Sequence, residues 1–145
     1  MPKLSRQLAA LFLLFLLSPV GAANVWWVNF VKEQTQNLTW PTCPLVSAII
    51  LVESGGNPAA RNGISTGLMQ VNGYTEKQRK ELLNPAVNIE RGVRLLRQYY
   101  SLTKSEKGAI KAYNVGIGTY FKIMVSPAYY NKVLEKVPQG AKLCE

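Results

Sequence analysis

The chain has 145 residues and a formal charge of +9, with no histidine, two cysteines and eight acidic residues that are all glutamate. Without histidine there is no Ser-His-Asp or Cys-His nucleophilic system and no histidine metal site. The length suits one domain with a sizeable core, and the basic balance favours an anionic partner: a cell-wall polymer, a membrane surface or nucleic acid. The basic residues are scattered, as from Lys77 to Lys111, and no nucleic-acid motif accompanies them, which argues against nucleic acid.

Residues 1–23 read as a secretion signal. Lys3 and Arg6 supply a positive start, and Leu8 to Leu17 is an unbroken apolar run of ten residues. Ser18-Pro19 breaks the run, and Gly21-Ala22-Ala23 offers small residues for cleavage. Ten residues are too short for a bilayer-spanning helix, which takes about 20. No later segment reads as a membrane span. The expected location is the periplasm, or the medium beyond it. Cys43 and Cys144 then lie near the two ends of the exported chain. In an oxidising compartment they are expected to pair, stabilising the fold by up to about 4.7 kcal/mol in the chain-entropy picture; free thiols are the alternative.

Trp26, Trp27, Phe30 and Val31 predict a short amphipathic helix within 24–42, its aromatic pair serving core or lid packing, with sugar stacking as the alternative. A second helix opens at Cys43-Pro44, proline suiting a first turn. Its next eight residues are nearly all apolar, and Gly55-Gly56 stop it. Glu53 therefore sits at the C-terminal end of a greasy helix. Desolvation and the helix dipole both disfavour its ionised form, and a carboxyl that keeps its proton suits a general acid. The alternative is a glutamate emerging into solvent where its helix ends.

Asn57 to Val71 reads as loop with a small hairpin. Thr75-Glu76-Lys77-Gln78 is a capping box for a short basic helix to Leu83. Asn84-Pro85 caps a longer helix to Leu102. Ser105 caps the next, which Gly116 and Gly118 end. Ser126-Pro127 starts the last, with Tyr129, Val133 and Leu134 along one side. Strand signals are scarce, so the expected fold is all-α, or α+β at most: a single compact helical domain.

Four stretches, in this order and spacing, resemble the SLT-type lytic transglycosylases, relatives of goose-type lysozyme that cleave the glycan of bacterial peptidoglycan. They are Glu53-Ser54-Gly55 with Asn57-Pro58; Gly67-Leu68-Met69-Gln70; Asn88-Ile89 with Gly92; and Ala112-Tyr113-Asn114-Val115-Gly116. Tyr129 matches a late tyrosine of the family. The resemblance covers a core of 44–136 within a domain of 24–145, leaving 24–43 as an N-terminal extension. It implies a lysozyme-like helical fold with a substrate cleft, and Glu53 as sole catalytic acid and base. The bond cleaved would be the one between N-acetylmuramic acid and N-acetylglucosamine, with closure of a 1,6-anhydro ring.

Ser54, Met69, Gln70, Tyr113, Asn114 and Tyr129 are the implied substrate contacts. An amide and a soft thioether suit a sugar bearing an N-acetyl group. Ser54 could instead support the helix end, and Met69 could be core. The reaction needs no cofactor and no metal. The small members of the family serve secretion, conjugation, pilus or flagellar machines, which implies such an apparatus as partner. Gly67 reads as a point of close backbone approach, Gly92 as a helix-packing position, and Asn88 as a residue that satisfies loop backbone. Glu76 is the nearest candidate for a second carboxylate. Val71-Asn72-Gly73-Tyr74 and Ile117 depart from the family's usual prolines. The competing readings are a hydrolytic lysozyme of the same fold, a non-catalytic wall-binding assembly factor and a cationic membrane-disrupting protein.

Overall fold

The computed structural model describes residues 25–145. The signal expected over 1–23 lies outside the described residues. The fold is a mostly helical, lysozyme-like domain of seven helices and a small three-stranded sheet among the described residues.

Helix α1 (Val28–Thr35) turns Val28, Val31 and Thr35 inward. Trp27 just before it is buried, while its neighbour Trp26 is 41% exposed and meets Phe30 edge-on. The tryptophan pair thus divides between core and surface. Helix α2 (Cys43–Ser54) begins where the Thr42 side chain accepts from Leu45 N–H and Pro44 fills the first turn. It ends at Gly55, whose φ of 62° is the left-handed conformation that stops a helix. Leu45 through Ile50 are buried without interruption, so α2 is the central rod of the core.

The loop after α2 holds three two-residue strands, β1 (Arg61–Asn62), β2 (Ser65–Thr66) and β3 (Val71–Asn72), antiparallel in that order. The expected hairpin therefore gains a third strand. Helix α3 (Glu76–Leu82) carries both bonds of the capping box between Thr75 and Gln78. Helix α4 (Pro85–Thr103) starts with the Asn84 side chain accepting from Ala86 and Val87 N–H. Helix α5 (Glu106–Val115) starts with Ser105 accepting from Gly108 N–H at 2.8 Å.

The expected glycine stop at 116 and 118 is half right. Gly116, at φ 82°, breaks the chain direction, but Gly118 lies inside a further short helix, α6 (Ile117–Lys122). One packing relation accounts for α6. A Cβ on Gly108 would sit 2.8 Å from the Tyr120 hydroxyl, so the bare glycine gives Tyr120 its seat on α5. Helix α7 (Ala128–Cys144) follows Ser126-Pro127, with Ser126 Oγ accepting from Ala128 N–H.

The most extensive helix pair is α2 with α7. Gly140 makes it possible, because a Cβ there would lie 2.3 Å from the carbonyl oxygen of Pro44. The expected disulfide joins Cys43 at the start of α2 to Cys144 at the end of α7. In α4, Asn88 is fully buried and connects three segments. Its Nδ2 donates to the carbonyls of Thr66 and Leu82, and its Oδ1 accepts from Met69 N–H at 2.8 Å. Gly67 (φ 80°) comes so close that a Cβ would lie 2.3 Å from Asn88 Nδ2. No helix among the described residues is long and apolar enough to cross a membrane.

Candidate active site

Helix α2 delivers Glu53 to the wall of a cleft of about 520 Å³. The other walls come from the sheet and its flanking loop (Gln70, Asn72, Tyr74), from α4 and from the end of α5. Glu53 follows from its helix: beyond the buried run Leu45 to Ile50, the last turn of α2 brings its carboxyl to the cleft, and Gly55 ends the helix two residues later. Trp27 packs beneath the turn; its Nε1 would lie 3.1 Å from a Cβ on Gly56.

Burial pushes the Glu53 carboxyl above its ordinary range, and a hydrogen bond from Tyr129 pulls part of the way back. The Tyr129 hydroxyl donates to Glu53 Oε1. Its own pKa is driven far up by burial and by the neighbouring carboxylate, so it stays a donor. Tyr113 is likewise held neutral, by burial first and by Glu53 second. Its hydroxyl donates to the carbonyl of Met69 at 2.7 Å. The tyrosine hydroxyl on Glu53 is thus that of Tyr129, while Tyr113 spends its proton on the loop.

The remaining candidates divide. Gln70 and Asn114 line the cleft. Gln70 has φ 49°, and its Nε2 donates to the carbonyls of Ala60 and Gly67 at 3.1 and 3.0 Å. Its donors face the loop, and Oε1 remains as the acceptor for a ligand. Met69 is fully buried, and its sulfur would lie 2.4 Å from a Cβ on Gly92. Its side chain presents no surface to a sugar, which corrects the expectation of a contact there. Ser54 does not line the cleft; its Oγ donates to Leu68 O at 2.7 Å and accepts from Gly56 N–H. That hydroxyl ties the turn after Glu53 to the loop that carries Gln70.

Glu76 is exposed and engaged with Arg79 at 3.2 Å and Arg61 at 3.9 Å, so it is no second carboxylate for this cleft. Glu90 pairs with Arg94 on the surface.

The sequence model of the family described as the transglycosylase SLT domain matches residues 29–127. The chain belongs to this family. No curated protein matches it, and no solved structure does. The match spans α1 to the connection before α7, and so includes Glu53, the sheet and the Tyr113-Asn114 turn. Tyr129 lies just beyond it, and its place beside Glu53 rests on the packing of α7.

In this SLT domain, motif reading did not find the α4 wall. Arg91, Leu95 and Tyr99 line the cleft at successive turns. The helical spacing of Leu95 and Tyr99 marks a helix without showing that this stripe faces a cleft. Arg91 brings a cation to the wall opposite in charge to Glu53, and Glu81 holds it at 2.7 Å.

Proposed function

We propose that the protein is a peptidoglycan lytic transglycosylase that cuts between N-acetylmuramic acid and N-acetylglucosamine and leaves a 1,6-anhydro ring. One observation carries the reading: Glu53, desolvated and hydrogen-bonded by Tyr129, is the one carboxylate among the described residues lining the cleft. Glycosidases that use water ordinarily need two carboxyls, one for the leaving group and one for the nucleophile or its water. A single carboxyl suffices when the nucleophile belongs to the substrate.

Glu53 starts neutral. It gives its proton to the glycosidic oxygen as the bond from that oxygen to the muramyl C1 breaks. The C6 hydroxyl of the same ring then bonds to C1, and its proton passes to Glu53, restoring the acid. Tyr129, donating to Oε1, leaves Oε2 as the proton-bearing oxygen and supports the carboxylate between the two transfers. The Tyr129 hydroxyl, held neutral, stabilises that interval without adding charge. Gln70 Oε1 and the Asn114 amide are assigned to the substrate's N-acetyl and hydroxyl groups.

The segment 1–23 is assigned as a signal, and 24–145 as the exported domain acting in the periplasm. A basic surface suits an anionic wall polymer. The role assigned is local opening of the wall for a secretion, conjugation or pilus apparatus.

The test is mass spectrometry of fragments released from purified peptidoglycan by wild type and by Glu53→Gln. Anhydro-ended fragments from wild type alone are expected. Reducing ends would move the protein to the hydrolases. No fragments from either would make it a wall-binding assembly factor.

A further inference from the structure

A second cavity, of about 500 Å³, lies between the α1–α2 connection and α4. Thr39 and Trp40 come from the connection; Arg94, Arg97, Gln98 and Tyr100 come from α4. None of these residues lines the catalytic cleft, to which the same helix gives Arg91, Leu95 and Tyr99. One rigid helix therefore walls two separate concavities.

The chemistry of this cavity is one-sided. Trp40 and Tyr100 pack against each other with ring centroids 4.9 Å apart and planes tilted by 32°, which gives the cavity an aromatic wall. Around it stand two guanidinium groups, an amide and two hydroxyls, a surplus of hydrogen-bond donors. No carboxylate among the described residues lines the cavity. Glu90 engages Arg94 from one turn earlier, and Arg97 has no ion-pair partner among the described residues. The indole Nε1 of Trp40 is buried without a hydrogen-bond partner, where buried donors are almost always answered. A donor-rich, acid-free cavity recognises an anion. The fork of a guanidinium matches a carboxylate, and the aromatic wall matches the flat face of an amide.

We propose that this cavity is a second wall-binding site, which takes a carboxylate-bearing peptide stem of peptidoglycan. That the anion comes from the wall rests on the function proposed above. The site holds one peptide-bearing strand while the cleft works on glycan. Two linked sites raise the effective concentration of polymer at the cleft without adding contacts to the scissile sugars.

The test is nuclear magnetic resonance of the oxidised, exported protein titrated with three probes: a disaccharide-peptide fragment, the same disaccharide without peptide, and the free stem peptide. The Trp40 indole and Arg97 side-chain signals are expected to move with both peptide-bearing probes and to stay still with the bare disaccharide. Arg97→Glu is expected to weaken that response about tenfold or more, and Arg97→Lys to keep part of it, since charge remains while the fork is lost. On intact wall, Arg97→Glu raises KM; on short peptide-free glycan it leaves kcat unchanged. The Gln70 and Asn114 amides report the cleft separately. If the glycan reading fails, those amides stay silent while Trp40 still answers the free peptide. Silence of Trp40 toward all three probes, or an equal response to the bare disaccharide, overturns the proposal.

Discussion

The hydroxyl of Tyr129 donates to Oε1 of Glu53, joining the first turn of α7 to the last turn of α2 across 76 positions of sequence. At the opposite end of the same helix pair, Cys43 is bonded to Cys144. The two helices are thus fastened at both ends, covalently far from the cleft and by a hydrogen bond inside it. Removing the hydroxyl removes the contact that lowers the Glu53 pKa and leaves burial unopposed. Tyr129→Phe is expected to move the alkaline limb of the pH–rate profile to higher pH. It is also expected to lower kcat by about 10- to 100-fold, the worth of a hydrogen bond to a charged group.

Glu53→Gln separates activity from stability. Loss of the acid and base is expected to cost about 10²- to 10⁴-fold in rate. Stability should change in the other direction. The folded carboxyl keeps its proton above its ordinary value of 4.5, whereas the unfolded chain loses it there. In that window the native state binds more protons, so stability falls as pH rises through it, up to the raised folded value. The variant lacks this penalty and still offers Tyr129 an acceptor. Thermal melts are expected to show it above wild type at neutral pH, with the gap closing in acid.

Asn88→Ala leaves Met69 N–H and the carbonyls of Thr66 and Leu82 without their buried partner. Orphaned buried groups cost about 1–3 kcal/mol each, so a loss of at least about 3 kcal/mol is expected in urea titration. Asn88→Asp keeps the acceptor and loses both donors, and is expected to be no better at neutral pH.

Gly140→Ala forces a methyl group against the Pro44 carbonyl and drives α7 away from α2. Overpacking of this kind costs about 1–3 kcal/mol. Because Tyr129 rides on α7, kcat is expected to fall with stability. Cys43→Ser loosens the far end of the pair. Its expected cost is about 2–4 kcal/mol, with the pH–rate profile unmoved.

How much of this was legible in the sequence depended on how local each cause was. The start of α2 was readable because Pro44 and the terminal glycines act within one helix. So was the capping box of Thr75 and Gln78. Asn88 and Gly92 could be read as structural for the same reason that they could not be given partners: their contacts lie at Thr66 and Met69, in another segment. Met69 was undecidable, since the same thioether suits a core or a sugar, and only its seat against Gly92 settles the matter. Helix α6 was missed because Gly116 and Gly118 look alike in sequence. The arrival of Tyr120 over Gly108 is what makes one of them helical. The α4 wall of the cleft was hidden because a stripe facing a groove has the same spacing as one facing a core.

The pairing of α2 with α7 also sets an order in time. During synthesis the segment bearing the carboxyl emerges 76 positions ahead of the hydroxyl that orients it. The apolar run of α2 meanwhile waits for the helix it packs against most extensively, which ends at Cys144. Early segments cannot settle before late ones arrive, since contacts this distant form only after the intervening chain is closed into a loop. A half-made molecule carries its reactive group without the helix that arms it. Glu53 therefore gains its hydroxyl partner only once α7 has been made and has packed against α2.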